Sequence, residues 1–174
     1  EDARRIIRDT GTVGLFVTHD PAEVLMMADN VAVLDQGLIV ECGTPQALYD
    51  RPTSRFAAEL FGEPQVFEGT IYADRILTPL GDWDRCALVD PGASNGDALL
   101  VVDADRLELQ PDNNGILITD IQSFGRLTRV SFDATGGELT VIVNWPKDAG
   151  TAIGVGSVVR VVPQSGAVFA SPAK

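Results

Sequence analysis

Histidine, cysteine and lysine are scarce in this sequence of 174 residues. There is one histidine, His19, and there are two cysteines, Cys42 and Cys86, and two lysines. The two cysteines do not have the paired spacing of a metal or redox motif. We therefore interpret both as small apolar residues of a protein in a reducing cytoplasm.

Positive charge is also scarce, with 13 Lys and Arg against 25 Asp and Glu, for a net charge of −12. The acidity is general, since residues 1–62 hold 5 basic against 10 acidic residues and residues 63–174 hold 8 against 15. A phosphate backbone would be repelled, which argues against nucleic acid as a partner. No basic cluster is present to bind anionic lipid directly.

Long hydrophobic runs are missing as well. The longest, such as residues 98–102, are far too short to cross a bilayer, so we expect no direct membrane insertion. The first residues do not resemble a signal peptide and include no Met. Because the chain opens in what reads as the middle of a helix, we expect it to be an excerpt of a longer protein. Hydrophobic residues make up 45% of the chain, enough for one large domain or two small ones.

The most informative stretch surrounds the single histidine. Residues 13–18 (Val-Gly-Leu-Phe-Val-Thr) do not alternate in polarity, which predicts a strand buried on both faces. A helix start follows, with Asp20 as N-cap, Pro21 at the first helical position and Glu23 three residues after the cap. His19 is therefore predicted at a strand-to-helix corner, where α/β folds place their working groups.

Helical and hairpin patterns continue up to residue 62. Residues 1–9 predict the end of a helix with Ile6 and Ile7 as its buried edge, and Gly11 as its C-cap region. The further expected elements are a helix at 21–28, two strands at 31–34 and 38–41 joined by Gln36-Gly37, a helix begun by Thr44-Pro45 and ended before Arg51-Pro52, and a helix capped by Thr53 or Ser54 that runs through Phe61 and is closed by Gly62.

From residue 63 the pattern changes to short β runs. Their turns are rich in Gly, Asn, Asp and Pro, as at Pro91-Gly92, 95–97, 113–115 and 135–137. Strands are expected at 65–72, 84–89, 98–102, 107–109, 116–124, 127–133, 139–144 and 158–163. Strands this short and closely spaced predict a small barrel or sandwich, so we divide the chain into domains at 1–62 and 63–174.

A family resemblance is carried by residues 16–62. The matching positions are Phe16-Val17-Thr18-His19-Asp20, Glu23, Ala28-Asp29-Asn30-Val31-Ala32-Val33-Leu34, Gln36-Gly37, Gly43-Thr44-Pro45, Leu48-Tyr49, Pro52 and Phe61-Gly62. This pattern resembles the C-terminal part of the ATPase subunit of bacterial ABC import systems. Residues 63–174 resemble the TOBE-type regulatory extension of such subunits in importers of ferric iron, polyamines, sulfate or sugars. The implied fold is an α/β fragment, the C-terminal part of a P-loop ATPase domain, followed by an all-β OB/TOBE-like barrel.

The resemblance implies a role for His19, namely contact with the γ-phosphate and the attacking water of ATP, bound with Mg²⁺ in the complete protein. An imidazole can donate to the charge that builds on phosphoryl oxygens. A P-loop is absent from this sequence, because Lys147 and Lys174 stand in no such motif, and so is the family's Leu-Ser-Gly-Gly-Gln signature. Asp35 is assigned to a turn and not to Mg²⁺. We therefore expect no cofactor and no ATP hydrolysis in this chain alone.

The second half offers few reactive groups. Its aspartates are expected to sit in turns as a solvated rim, at positions Asp82, Asp84, Asp90, Asp97, Asp103 and Asp105. Trp83 and Trp145 could line a pocket, but isolated aromatics are more often core or edge packing. Where relatives often carry Arg-Pro-Glu, this chain has Asp103-Ala104-Asp105-Arg106.

The resemblance thus implies the C-terminal portion of an ATP-hydrolysing subunit that energises solute uptake. The short second domain favours ferric iron or polyamines as the solute. The chain itself would be regulatory and dimerising, with a second copy as partner through barrel faces or edges, and with permease subunits bound by a region upstream of Glu1. Its place would be cytoplasmic, peripheral at the inner face of the membrane. The alternative is a module that senses a small oxyanion or a metal. A nucleic-acid-binding barrel would need a basic groove with stacking aromatics, which the composition disfavours.

Overall fold

Short helices and one β-hairpin make up the chain as far as Phe61, and antiparallel strands follow from Pro64. The computed structural model describes residues 2–61, 64–90, 92–125, 127–134, 137–145 and 153–171. The chain divides into an N-terminal unit, Glu1–Phe61, and a C-terminal unit, Gly62–Lys174. The assignment of the units to particular domain families stays a prediction at this point.

The N-terminal unit contains four short helices and two strands. They are α1 (Asp2–Thr10), α2 (Pro21–Met27), β1 (Val31–Asp35), β2 (Leu38–Gly43), α3 (Pro45–Asp50) and α4 (Arg55–Leu60). The two strands pair antiparallel, and the turn between them places Gln36 and Gly37 at φ of 48° and 82°. Two successive positive φ values are the signature of a tight hairpin turn, so the predicted hairpin is confirmed.

The predicted helix starts are confirmed by their caps. Each of α2, α3 and α4 follows a residue whose side chain accepts a hydrogen bond from a backbone amide of the first turn. The pairs are Asp20 with Ala22 (2.8 Å), Thr44 with Ala47 (3.2 Å) and Ser54 with Ala57 (3.2 Å). At the other end of α1, Gly11 has φ of 63° and Thr12 N donates to Ile7 O, which is the expected glycine stop of a helix.

A small core holds the second half of this unit together. Its buried members are Val33, Leu48, Ala57 and Phe61. The Glu41 carboxylate accepts hydrogen bonds at 2.9 Å from the backbone amides of Thr53 and Ser54 and from the Ser54 hydroxyl. Since Ser54 is also the cap of α4, β2 and α4 are tied to each other through one carboxylate.

The predicted strand at residues 13–18 is wrong for this structure. Residues 12–18 have no strand conformation, and Val13, Leu15 and Val17 are 95%, 95% and 88% exposed. A β-strand requires a neighbour for its backbone groups, and no strand of the described chain pairs with this segment. Ile6 and Ile7, predicted as a buried edge, are 58% and 37% exposed. The expected buried α/β layer is therefore not formed within the described residues.

In its described residues the C-terminal unit is all β apart from two single turns of 3₁₀ helix, at Arg85–Ala87 and Ala104–Arg106. Its strands are β3 (Pro64–Tyr72), β4 (Arg75–Thr78), β5 (Gly81–Asp84), β6 (Gly96–Asp103), β7 (Leu107–Phe124), β8 (Leu127–Ala134), β9 (Gly137–Asn144), β10 (Val158–Pro163) and β11 (Ala167–Ala170). They form a five-stranded sheet in the order β11-β6-β3-β4-β5 and a four-stranded sheet in the order β10-β7-β8-β9. One continuous apolar core belongs to both sheets.

Two side chains join the sheets at opposite edges of the four-stranded sheet. At the β9 edge, the side-chain amide of Gln65, which belongs to β3, donates to Ile142 O and accepts from Ile142 N, each at 2.6 Å. At the β10 edge, the indole nitrogen of Trp83, which belongs to β5, donates to Val161 O at 2.9 Å. A side chain thus takes the place of a neighbouring strand at both edges, which explains how two separate sheets enclose one core.

Several boundaries in this unit differ from those predicted. The prediction places a strand at 84–89, whereas β5 ends at Asp84. The Asp84 carboxylate caps the 3₁₀ turn that follows by accepting a hydrogen bond from Cys86 N. Strands β4, β5 and β11 are short and were not predicted. The turn candidates at 62, 91–92 and 135–137, and both lysines, fall wholly or partly outside the described residues.

The predicted turn at 113–115 lies inside the long strand β7. Val159 of β10 faces Pro111 while its neighbour Val158 faces Leu117, so residues 112–116 form an excursion that β10 skips. Gly115 comes so close to β10 that a Cβ there would stand 2.0 Å from Val159 O and 2.4 Å from its carbonyl carbon. The turn residues thus mark a bulge in one strand and not a chain reversal.

We predict that Gly115→Ala destabilises the C-terminal unit. The new methyl group would meet backbone atoms of β10, which cannot move without breaking its pairing with β7. Overpacking of this kind costs typically about 1–3 kcal/mol. Thermal unfolding followed by the fluorescence of buried Trp83 measures the loss. The matched control is Gly154→Ala, where a Cβ meets nothing within 4 Å; equal melting temperatures for the two variants would contradict the expected close approach.

Candidate functional site

His19 lies on the surface of the N-terminal unit, at a bend directly before the first turn of α2. The bend follows the exposed apolar segment 13–17 and ends at Asp20, the cap of the helix. The predicted corner before a helix is therefore present, whereas the strand predicted to enter it is not. The imidazole is exposed and so can be reached by a molecule outside this unit.

Hydrogen bonds of neighbouring residues fix the backbone on both sides of His19. Asp20 N donates to the Thr18 hydroxyl oxygen at 3.0 Å, so the side chain of Thr18 spans the histidine. The same hydroxyl donates its proton to the carboxylate of Glu23, in the first turn of α2. Val24 N donates to Asp20 O at 3.2 Å and so continues the chain into the helix.

The role of Glu23 differs from the one its spacing suggested. A residue three positions after an N-cap can return a hydrogen bond to the amide of the cap. Here the amide of Asp20 is taken by Thr18, and Glu23 accepts from the Thr18 hydroxyl instead. A hydroxyl can donate and accept at once, which makes this three-member chain possible. The signal in the sequence is a threonine two residues before the cap, the spacing of a local hydroxyl-to-amide turn.

The residues present fit one contact to a phosphate group and not a complete nucleotide site. An exposed imidazole can donate to a phosphoryl oxygen. The Gly-rich loop and lysine that cradle phosphates are absent from the sequence. Asp35 is the last residue of β1, beside the hairpin turn. Within the described ranges no group of His, Cys, Asp and Glu is arranged to hold a metal ion.

The aspartates of the C-terminal unit are distributed differently from the expected turns. Asp82 and Asp84 belong to β5, and Asp97 and Asp103 belong to β6. Asp90 does lie in a loop, and it is the one that organises its surroundings. The expectation that all of them form a rim of turns is therefore wrong.

Asp90 forms a half-buried clasp with Arg85. One carboxylate oxygen accepts from the amides of Ala93 (2.7 Å) and Gly92 (2.9 Å), and the other from the Arg85 guanidinium. Arg85 also donates to the carbonyl oxygens of Ala93 and Ala73. Burial acts to raise the pKa of Asp90, but the two amides and the guanidinium outweigh it and hold this pKa below its ordinary value of 3.8. The arrangement is structural, since every partner belongs to the loop or its neighbours.

The tryptophans and cysteines complete the candidates from the sequence. Trp83 is 2% exposed and packs edge-on against Phe67 with ring centroids 5.5 Å apart, so it is a core residue. Trp145 is partly buried against the same core. Cys42 and Cys86 are both free thiols, and both are exposed, so neither packs as a small apolar residue of a core.

Residues 103–106, where this chain departs from the Arg-Pro-Glu of its relatives, comprise the end of β6 and a 3₁₀ turn. In that turn the Arg106 guanidinium donates to the Ser165 hydroxyl at 2.6 Å.

Among the described helices none is long and apolar enough to span a membrane.

Comparison with curated proteins finds similarity to spermidine/putrescine import ATP-binding proteins. The spermidine/putrescine import ATP-binding protein PotA of Borreliella afzelii is 30% identical over 149 residues, 83% of this chain and 41% of the relative. PotA of Mesorhizobium japonicum is 27% identical over 169 residues, 92% of this chain and 46% of the relative. PotA 1 of Pseudomonas aeruginosa is 34% identical over 120 residues, 66% of this chain and 32% of the relative.

The chain matches the C-terminal region of ABC-importer ATP-binding proteins. The resemblance read from residues 16–62 is thereby confirmed. The chain spans less than half the length of these relatives. Their names concern spermidine and putrescine, so the comparisons do not support the ferric-iron branch of the expectation.

Two further comparisons add little. No protein-family model matches the chain. A solved structure of the cytoplasmic molybdate-binding protein ModG, with molybdate bound, covers 64% of this chain and 99% of its own, with a TM-score of 0.42 and 20% identity. A likeness of this size carries no conclusion about fold or ligand.

We predict that the Asp90 clasp stabilises the C-terminal unit in a pH-dependent way. Because the folded-state pKa of Asp90 is lowered, its contribution is present above the unfolded-state pKa of about 3.9 and is lost as the pH falls through the lower folded-state value. At pH 7, Asp90→Asn should lower the free energy of unfolding by roughly 1–3 kcal/mol. Unfolding of both proteins between pH 7 and 3 should show this gap closing on acidification; a constant gap would refute the assignment.

Proposed function

We propose that this chain is the C-terminal part of the ATP-hydrolysing subunit of an importer for polyamines such as spermidine and putrescine. The observation that carries the proposal is the match to PotA of Borreliella afzelii over 149 residues, which extends through both units. In this role the complete subunit binds ATP and Mg²⁺ and energises uptake, and permease subunits hold it at the cytoplasmic face of the membrane.

His19 is the residue of this chain that contacts the terminal phosphate in that proposal. Three observations support the choice. The residue is the only histidine and its imidazole is exposed. The turn that carries it is held by two hydrogen bonds, which the Thr18 hydroxyl accepts from Asp20 N and the Asp20 carboxylate accepts from Ala22 N. The nucleotide supplies the phosphoryl group when it is bound, and the imidazole contributes a donor to its oxygens.

The exposed segment 13–17 packs, in this proposal, against the rest of the ATP-binding domain. Val13, Leu15 and Val17 are almost fully exposed, and Phe16 is 55% exposed. Isolated apolar residues on a surface need no explanation, but a contiguous run of them marks an interface. The relatives are more than twice as long as the part this chain matches, which leaves ample sequence to supply neighbouring strands.

The C-terminal unit serves as a regulatory and dimerising module in the proposal, with a second copy of the subunit as its partner. Edge strands are often used for such pairing. Here three edges already hold intramolecular hydrogen bonds: β9 at Ile142, β10 at Val161, and β11 at Val168, which donates to Val89 O at 2.9 Å. We therefore favour sheet faces over edges for the contact. The alternative of a module that senses an oxyanion or a metal stays a hypothesis, since nothing in the described part of the chain favours it.

We predict that His19→Ala in the complete subunit lowers kcat for ATP hydrolysis by roughly 10²-fold or more, because one preorganised donor to the phosphoryl oxygens is lost. Steady-state phosphate release measures the rate. The stability of the subunit should change by less than about 0.5 kcal/mol, since the side chain is exposed.

The matched control for this substitution is Asp35→Asn. Asp35 is a carboxylate of the same unit that ends β1, beside the hairpin turn and not in it, and we do not assign it to Mg²⁺. The control should hydrolyse ATP like the parent subunit. Hydrolysis by the His19 variant at the parental rate would overturn the proposed role of the imidazole.

A further inference from the structure

The backbone around His19 is held by a side chain that comes before it and one that comes after it. The Thr18 hydroxyl accepts a hydrogen bond from Asp20 N at 3.0 Å. This bond closes a short turn that has His19 at its centre. Glu23 accepts the proton of the same hydroxyl. Since a hydroxyl has one donor, this bond turns the lone pairs of Thr18 toward Asp20 N.

Glu23 can serve as an anchor because it is fixed to α2. Its own backbone lies in the first turn of the helix, next to Val24, whose amide donates to Asp20 O. The helix does not depend on Glu23 for its start, because Asp20 caps it through Ala22 N at 2.8 Å and Pro21 occupies its first position. Removal of the Glu23 carboxylate therefore loosens the turn that carries His19 and leaves the helix in place.

We propose that Thr18 and Glu23 are positioning residues for His19. They hold its backbone in one conformation relative to α2, so that the imidazole reaches its ligand without first being ordered. This inference rests on the proposed function of His19 as the contact to the terminal phosphate. A group that is already in place costs no ordering entropy when the reaction occurs, which raises kcat and not the affinity for the substrate.

The first test follows the backbone of His19 directly in this chain. The amide order parameter of His19 from ¹⁵N relaxation should approach about 0.85 in the parent, as in rigid backbone, and fall toward about 0.6 in Glu23→Ala and Thr18→Val. Glu23→Gln keeps an acceptor oxygen and should restore most of the order. The double variant should be no more mobile than Thr18→Val alone, because that change already removes both hydrogen bonds of the hydroxyl.

The control for this measurement is Glu59→Ala. Glu59 is a carboxylate of the same unit whose partner is Arg55, one turn earlier in α4. It should leave the order parameter of His19 unchanged. A mobile His19 amide in the parent, or a rigid one in Glu23→Ala, would overturn the inference.

The second test uses ATP hydrolysis by the complete subunit. Glu23→Ala and Thr18→Val should each lower kcat about tenfold, with the KM for ATP unchanged and with the rate recovered in Glu23→Gln. The two proposals fail in different ways. If His19→Ala hydrolyses ATP at the parental rate, the proposed function fails. If His19→Ala is inactive while Glu23→Ala keeps the parental kcat and a rigid His19, the positioning role fails and the proposed function stands.

Discussion

A β-strand needs a hydrogen-bonded neighbour. Residues 13–18 of this chain have the composition of a buried strand, but none of the described strands pairs with them. That single constraint accounts for most of the N-terminal unit. The segment lies exposed, Ile6 and Ile7 are left without cover, and the small core forms only beyond α2, around Leu48 and Phe61. The bend at His19 still forms, because its hydrogen bonds come from Thr18, Asp20 and Glu23, which are its neighbours in sequence.

In the C-terminal unit, side chains of the unit itself bind backbone groups at the edges of its sheets. Its two sheets have open edges, and Gln65 and Trp83 cover two of them with side-chain hydrogen bonds to Ile142 and Val161. A bidentate amide reproduces both bonds that a neighbouring strand would make at one residue. The unit thereby encloses its core with its own residues, whereas the N-terminal unit leaves an apolar segment uncovered. This contrast supports our proposal that the N-terminal unit is part of an ATP-binding domain completed by residues outside this chain.

The sequence predicted well what is decided locally. Asp20, Thr44 and Ser54 begin helices because a side-chain oxygen meets an amide two or three residues away. The conformation of residues 13–18 and of Gly115 depends instead on which backbone lies alongside, and no pattern within either segment contains that information. The Asn-Asn-Gly run within β7, opposite β10, has the composition of a turn, yet the pairing on either side of it makes it a bulge.

The candidate site divides in the same way. The position of His19 before a helix follows from Asp20 and Pro21, which are readable as a helix start. The partnership of Thr18 with Glu23 was not predicted, because the spacing of Glu23 from Asp20 matches a capping box, in which Glu23 would bind the amide that Thr18 binds here. The likeness to polyamine-import ATP-binding proteins came from sequence comparison and not from any motif that we read in the chain.

Hydrogen exchange of the amides of residues 12–18 tests the central claim most directly, which is that this segment becomes a paired strand in the complete ATP-binding subunit. The measurement compares this chain with the complete subunit under the same conditions. The account predicts fast exchange in the chain alone and protection in the complete subunit that approaches that of its core strands. Equally fast exchange in both proteins would contradict it.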